Sequence, residues 1–418
     1  MPNHLSRFIA ASGLSNLADG IATVAWAWLA SLLTRDPLLI AAVPVALRLP
    51  WFLMAIPAGI VTDRIDRRRL ILQMDGLRTA AFALVALAVW AAVPLAAAPD
   101  RGVSAPGLFL VMLAGAFAVG VAEVFRDNAA QTMMPSLVPH EQLEKANGRI
   151  WSVELVGNAL LGPALGAFLI AAAAPLPFAA NAAAYLLAVI LVLFIGGAYR
   201  PAAPVQRNWR RELREGFAFL RNAPLLRALA LITGVWNLLF QMVMIALVLH
   251  VQDNLGLGAP AYGLILAGGA VGGILGGWFG DAIVRRLGPG RTAQWMLLAS
   301  PLAFLVMPFA PGAFALALTL AVFEFTGIVW NTVSVSYRQR SIPDALLGRV
   351  NSLYRLLAWG MMPVGLALSG IVVKLGETVA GRDTALAAPF VVTAAGALAL
   401  TLAGWSPLGR GFAASPKT

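Results

Sequence analysis

The chain has 418 residues, of which 60% are hydrophobic and only 12% are charged, whereas soluble domains usually carry about a quarter charged residues. This balance excludes an ordinary soluble protein, and the absence of cysteine excludes disulfides, thiolate catalysis and cysteine-bound metals. Apolar runs long enough to cross a hydrocarbon core of about 30 Å as helices recur throughout the chain. They lack the alternation that is typical of a membrane barrel.

Twelve membrane-spanning helices are predicted from apolar runs that lie between charged residues or between Pro and Gly breaks. The first run is long and has polar residues in its middle, so it is interpreted as a span and not as a cleaved signal peptide. The predicted spans are 6–33, 37–61, 70–97, 106–131, 149–174, 176–198, 225–251, 260–284, 291–310, 312–337, 348–374 and 386–406.

Basic residues gather on one side of the predicted membrane. When the N-terminus is placed inside, the inner segments hold most of the 30 Lys and Arg, including the groups at 64–69 and 200–227. The outer segments hold only Arg35, Arg101, Lys374 and Arg382. This asymmetry predicts a multi-pass protein of the cell (inner) membrane with both termini in the cytoplasm. It also explains the net charge of +11 without a nucleic-acid partner.

The longest inner segment, 199–224, begins rich in Pro and then becomes amphipathic. Its apolar residues recur at helical spacing among arginines and are Trp209, Leu213, Phe217 and Leu220. We interpret it as a cytoplasmic linker whose amphipathic helix lies on the inner leaflet. A regulatory docking site is the alternative interpretation.

One motif, Gly-x3-Asp-x3-Arg-Arg, occurs twice, each time after a span that ends on the cytoplasmic side. The two copies consist of Gly59, Asp63, Arg67 and Arg68, and of Gly277, Asp281, Arg285 and Arg286. Two copies at matching positions indicate an internal duplication. The predicted fold is therefore an all-α polytopic membrane protein with twelve transmembrane helices in two pseudo-symmetric six-helix bundles. The bundles are residues 1–198 and 225–406, and a cytoplasmic tail follows at 407–418.

The duplicated loop resembles the signature of the major facilitator superfamily, although Asp66 stands where the family usually has Gly. Residues 123–131, 348–351 and the pair Asp19-Gly20 resemble the branch that holds macrolide and enterobactin exporters. The resemblance implies a secondary transporter that works by alternating access. It also implies that Asp63, Arg67 and Asp127 form a cytoplasmic latch that faces the start of span eleven.

Span five carries a short element that resembles one associated with antiporters in this superfamily. Its residues are Gly162, Pro163 and Gly166, and Ala167 stands where the family has a second Gly. Small residues and proline also let helices approach closely and bend. Antiport and ordinary helix packing therefore both explain the element.

Ionisable residues within spans are candidates for the mechanism, because each costs roughly 2.5–3.5 kcal/mol at a helix centre on insertion scales. Asp19, Glu123 and Glu324 are the candidate proton-coupling residues, which would bind a proton on one side of the membrane and release it on the other. The alternative is a structural ion pair, such as Arg48 with Asp19 or with Glu123.

The pair Asp75 and Arg78, three residues apart on span three, is interpreted as a gate or packing pair near the inner end of that span.

Polar residues at helical spacing on spans one and seven predict a wet central cavity. The candidate lining residues are Asn16, Thr23, Trp26, Arg48, Asn237 and Gln241. Aromatic residues such as Trp26 could contact an amphipathic substrate, or they could face lipid and neighbouring helices.

The leading functional hypothesis is proton-coupled efflux, by antiport, of an amphipathic small molecule such as a drug, a macrolide-like natural product or a siderophore. A uniporter, an importer or a lipid flippase on the same fold is the alternative. The sequence lacks His-Glu-x-x-His and Gly-x-Ser-x-Gly motifs, which argues against an enzyme. The expected partners are membrane lipid, the substrate and protons, and we expect a monomer with no cofactor or metal.

Overall fold

The computed structural model describes residues 2–62, 64–139, 143–200 and 209–414. The chain divides into two compact units. The first unit comprises Met1–Val205 and Leu257–Ala267, and the second comprises Gln206–Gly256 and Gly268–Thr418. The amphipathic segment of the predicted linker thus groups with the second unit, and the first turns of the predicted eighth span group with the first.

Helices α1 to α8 make up most of the first unit. Their bounds are Pro2–Leu33 (α1), Pro37–Leu53 (α2), Ala55–Thr62 (α3), Arg67–Ala92 (α4), Pro106–Met133 (α5), Leu143–Glu154 (α6), Gly162–Ala172 (α7) and Leu176–Leu193 (α8). A π-helical segment, Leu155–Leu161, joins α6 to α7. Helix α4 packs against α5 and α8, and α1 packs against α7 and α8.

Helices α9 to α16 follow, and all but the first turns of α11 belong to the second unit. Their bounds are Trp209–Asn222 (α9), Pro224–Leu249 (α10), Ala259–Leu287 (α11), Pro289–Val306 (α12), Ala313–Ser341 (α13), Asp344–Gly360 (α14), Met362–Glu377 (α15) and Arg382–Ala414 (α16). Helix α10 packs against α14, α15 and α16.

Eleven helices in the described part of the chain are long and apolar enough to cross a membrane, and α2 is a shorter apolar helix. The predicted second span is divided at Met54 between α2 and α3, three residues before Pro57. Proline lacks an amide donor and disturbs the preceding helical turn, so a break is expected near such a residue. The predicted all-α polytopic fold class is confirmed, and the predicted count of twelve spans is close.

Tertiary contacts lengthen the last helix beyond its predicted end at residue 406. Helix α16 continues to Ala414 because Leu408 is buried and the Phe412 ring packs 5.4 Å from the ring of Tyr337. Part of the predicted tail is thus helical.

Large apolar side chains cover the outer faces of the helices. Leu84, Trp90 and Leu110 are each more than half exposed in the isolated chain. Exposed apolar surface of this kind requires lipid around it, because contiguous patches are rare on soluble proteins.

Candidate functional site

A buried charged cluster lies inside the first unit, with Arg78 at its centre. Arg78 is eleven residues from the start of α4, which is roughly 16 Å along the helix and therefore near mid-membrane depth. Its side chain is completely buried. Its Nη2 atom lies 3.3 Å from Asp19 Oδ1, and its Nη1 atom donates to Ser15 Oγ at 3.0 Å.

Asp19 of α1 is held by a second donor from α8. The Tyr185 hydroxyl donates to Asp19 Oδ1 at 2.6 Å. The Arg78 guanidinium lies 4.8 Å from the centroid of the same tyrosine ring, and Phe82 stacks on this ring at 5.6 Å. Helices α1, α4 and α8 therefore converge on one carboxylate.

Helix α5 supplies three more charged residues, which lie on one face because they are three and four positions apart. Glu123 lies 3.9 Å from Arg78 and 3.4 Å from Arg48 of α2. Arg126 lies 3.6 Å from Asp75 and 3.5 Å from the neighbouring residue Asp127.

Within the described residues, the ion pairs of this cluster join one more carboxylate than guanidinium group. The carboxylates are Asp19, Asp75, Glu123 and Asp127, and the guanidinium groups are Arg48, Arg78 and Arg126. Neither oxygen of Asp75 has a hydrogen-bond partner within the described residues. A charge that is buried without full pairing is costly, so the uptake of one proton would neutralise the excess negative charge. The cluster is chemically suited to exchange a proton.

The structure brings together six residues that were singled out from the sequence, namely Asp19, Arg48, Asp75, Arg78, Glu123 and Asp127. Arg48 pairs with Glu123, and Asp19 pairs with Arg78. Tyr185 and Arg126 were not predicted from the sequence, and Arg78 lies deeper in its span than predicted. A count from Arg67, where α4 begins, would have shown the depth of Arg78.

A profile of the family described as transmembrane secretion effector matches residues 4–406. The chain belongs to this family. It is a transmembrane secretion effector of the major facilitator superfamily, and thus a multi-pass membrane transporter and not an enzyme.

Two curated relatives of this transmembrane secretion effector are bacterial exporters. Macrolide efflux protein A of Streptococcus pyogenes is 25% identical over 335 residues, which cover 77% of this chain and 78% of the relative. The enterobactin exporter EntS of Escherichia coli O81 (strain ED1a) is 26% identical over 314 residues, which cover 75% and 71%.

Solved structures of other transporters share the fold. A mutant form of the nucleoside transporter NupG matches with a TM-score of 0.77 at 13% identity, over 97% of this chain and 99% of that one. A bacterial homologue of the iron transporter ferroportin matches with a TM-score of 0.74 at 16% identity, over 98% of both chains.

The antiporter-like element of this transmembrane secretion effector lies where α7 crosses α1, directly beside the charged cluster. A Cβ atom added to Gly162 would lie 2.5 Å from the Cα of Gly20, the neighbour of Asp19. A Cβ atom added to Gly166 would lie 2.5 Å from the carbonyl oxygen of Ile21. Only glycine permits this approach. The π-helical segment ends just before Pro163, and π-bulges often occur at functional sites.

The predicted cavity residues of α1 bond within their own helix or pack in the core. Asn16 donates to the Ser12 carbonyl at 2.9 Å, and Thr23 donates to the Asp19 carbonyl at 3.0 Å. Trp26 is buried, with its ring 5.5 Å from Phe82 and 5.0 Å from Phe178. Packing in the core therefore accounts for the burial of Trp26, and contact between Trp26 and substrate stays a prediction.

In the second unit, Asn237 donates to the Ala358 carbonyl at 2.9 Å, and Gln241 is partly exposed. Glu324 lies on α13 against a glycine of α11, since a Cβ atom added to Gly269 would be 3.6 Å from its Cγ. Glu324 has no ion pair within the described residues. It belongs to the second unit, whereas the cluster belongs to the first.

The first copy of the duplicated motif joins α4 to the end of α8. Asp66 accepts the backbone N–H of Arg69 at 3.0 Å, as an N-cap does, and it accepts the N–H of Tyr199 at 2.8 Å. Its φ of −59° suits any residue, which explains why Asp can stand where the family has Gly. Burial raises the pKa of the Tyr199 hydroxyl, and Arg68 opposes this effect.

The basic residues of this first copy bond to backbone carbonyls. Arg67 donates to Thr132 at 3.1 Å, and Arg68 donates to Val192 and Leu193 at 3.1 Å and 2.7 Å. Asp63 lies outside the described residues, so the predicted latch with Arg67 and Asp127 stays a prediction. A Cβ atom added to Gly59 would meet nothing within 4 Å.

The second copy has a different local structure. Helix α11 continues past Gly277 to Leu287, so Asp281 and Arg285 are one turn apart on its surface. They form an exposed ion pair, and Arg286 beside them is also exposed. An exposed pair of this kind contributes little stability.

Proposed function

We propose that this transporter is a proton-coupled exporter of amphipathic small molecules. The observation that carries the proposal is the excess carboxylate in the buried cluster around Arg78. A coupling site must be stable both with and without its proton. A cluster of four carboxylates and three guanidinium groups can share one proton at modest cost, because neighbouring charges redistribute their pairing.

Asp19 is proposed as the residue that carries the proton. It is one-fifth exposed, whereas Asp75 is completely buried, so a proton can reach Asp19 more readily. Its neighbour Gly20 lies in the close crossing of α1 and α7, so a change of charge at Asp19 occurs beside a helix contact that tolerates no larger side chain. Glu123 is the second candidate, and Glu324 is the candidate in the second unit.

The direction and the substrate class are inferred from the relatives, which are a macrolide efflux protein and an enterobactin exporter. We propose export of a drug, a macrolide-like natural product or a siderophore by alternating access and antiport. The distribution of basic residues supports an inner-membrane location with both termini in the cytoplasm. Lipid, substrate and protons are the proposed partners of a monomer.

The test uses the purified protein in liposomes, with a radiolabelled macrolide and labelled enterobactin as probes. An imposed pH gradient should drive accumulation of a probe by the wild type. Asp19→Asn should abolish accumulation but retain substrate exchange at equal pH, because exchange needs no net proton movement. Asp100→Asn, which changes an exposed loop carboxylate, is the matched control and should behave as the wild type.

Three other outcomes of these liposome measurements would each change the proposal. Accumulation by Asp19→Asn would transfer the coupling role to Glu123 and then to Glu324. Equilibration of a probe by the wild type without any response to the gradient would favour a uniporter. Movement of labelled phospholipid alone would favour a flippase.

A further inference from the structure

Asn181 of α8 is completely buried, and both of its amide atoms lack hydrogen-bond partners within the described residues. A side-chain amide has two donor hydrogens and one acceptor oxygen. Buried groups of this kind are almost always satisfied by protein atoms or by ordered water. Because both atoms are unsatisfied, rotating the amide by 180° would still leave the oxygen and the nitrogen of Asn181 without hydrogen-bond partners.

Asn181 lies close to the residue that holds Asp19. It is four positions before Tyr185 and three after Phe178, so the three side chains share one stripe of α8. All three are completely buried. The four-residue step corresponds to about 6 Å along the helix, which one or two water molecules can span.

A second unsatisfied atom belongs to Trp26, whose ring contacts Phe178 on the same stripe of α8, and Asn181, Phe178 and Trp26 are called the Asn181 layer. Trp26 Nε1 is buried without a hydrogen-bond partner in the described part of the chain. The Trp26 ring lies 5.0 Å from Phe178, one turn from Asn181 on α8. Trp26 is seven residues beyond Asp19 on α1, which places it about 10 Å toward the end of the unit where α1 ends and α8 begins.

The hydrogen-bond donors and acceptors among the unsatisfied atoms indicate which kind of ligand fits here. The layer offers one acceptor, Asn181 Oδ1, and N–H donors from Asn181 and Trp26. A cation would find a single oxygen ligand here, and an anion would be placed among the rings of Phe82 and Phe178. Water both donates and accepts, so of these three ligands it is the one that satisfies the set.

We propose that Asn181 binds ordered water in this layer, and that this water relays protons to Asp19 through Tyr185. This inference rests on the proposed proton coupling. In the relay, a hydrated proton transfers to the Tyr185 oxygen while the original Tyr185 proton moves to Asp19. An O–H bond of the hydrated proton and the original Tyr185 O–H bond break, while new O–H bonds form on Tyr185 and on Asp19, so Tyr185 remains neutral and Asp19 becomes neutral. The orientation proposed above makes this the route from the outer side.

The water is tested directly by radiolytic hydroxyl-radical labelling of the full-length protein, which oxidises buried residues beside bound water. Trp26 and Phe178 should be labelled in the wild type, and Asn181→Leu should lower their labelling at least fivefold. Thr393→Val is the matched control, because it removes another buried and unsatisfied polar atom, in the second unit. An unlabelled Trp26 in the wild type would overturn the water site.

The relay is tested in liposomes, with the macrolide as probe. Asn181→Leu should lower pH-driven accumulation at least tenfold and leave exchange at equal pH within twofold of the wild type. Asn181→Ser, which retains a group that donates and accepts, should restore most of the loss. Wild-type accumulation by Asn181→Leu would overturn the relay.

The proposed proton coupling is tested on the wild type alone, so its failure can be distinguished from a failure of the relay. A wild type that ignores the pH gradient would overturn both coupling and relay, whereas the labelling result would still decide the water site.

Discussion

The Tyr185 hydroxyl donates to Asp19 at 2.6 Å, and this contact joins residues that are 166 positions apart in the sequence. The tyrosine ring contacts both Phe82 and the Arg78 guanidinium, which lie one turn apart on α4. The hydroxyl therefore cannot leave Asp19 without disturbing the core of the first unit. Asp19 therefore has a hydrogen-bond donor of fixed position.

Replacing Tyr185 by Phe should impair coupling more than stability. The ring contacts survive in Tyr185→Phe, and the lost hydrogen bond to a charged group contributes about 1.5–3 kcal/mol to stability. We expect a lower thermal unfolding temperature by a few degrees and a fall in pH-driven accumulation of about tenfold. Tyr262→Phe, at a buried tyrosine whose ring packs on Trp28, is the control. Equal accumulation by both variants would remove Tyr185 from the mechanism.

Replacing Gly162 by Ala should destabilise the first unit. The added Cβ atom would lie 2.5 Å from backbone atoms of Gly157 and Gly20, which cannot move aside as a flexible side chain can. Overpacking of this kind costs about 1–3 kcal/mol. Gly76→Ala in α4 is the matched control, because its Cβ atom would meet nothing within 4 Å and alanine favours the helix by about 0.5–1 kcal/mol. Thermal unfolding in detergent compares the two, and equal unfolding temperatures would contradict the close crossing.

The sequence predicts the helices well because lipid imposes a strong constraint on length and hydropathy. The charged cluster was predicted only in part, because hydropathy reports depth and not which helix faces which. Asp19, Arg48 and Glu123 were recognised as charges in apolar spans. Their arrangement around Arg78 depends on the packing of α1, α4, α5 and α8, which no local pattern encodes.

Orientation is tested by labelling single cysteines introduced into a chain that has none of its own. A cysteine at position 211 or 286 should be shielded from an impermeant thiol reagent added to intact cells, and one at position 101 should react. Arg211, Arg286 and Arg101 are all exposed, so burial does not explain a difference. Permeabilised cells provide the control, in which all three positions should react. Labelling of position 211 in intact cells would reverse the orientation.

Replacing Arg78 by Gln should be the most damaging single change in the cluster. It leaves four carboxylates with two guanidinium groups, and breaking a buried pair in this way costs about 3–5 kcal/mol. The unfolding temperature should fall by on the order of 10 °C. Arg291→Gln, at an exposed arginine, should leave it unchanged.

A second substitution distinguishes the loss of charge balance from the loss of the packing contacts of the Arg78 side chain. Asp75→Asn together with Arg78→Gln leaves three carboxylates and two guanidinium groups, which restores the excess of one. Because neighbouring residues of one network do not contribute additively, the double variant should be more stable than Arg78→Gln alone. If the two losses simply add, the stability of the cluster depends on the shape of the Arg78 side chain and not on its charge. The excess carboxylate would then lose its significance for proton binding.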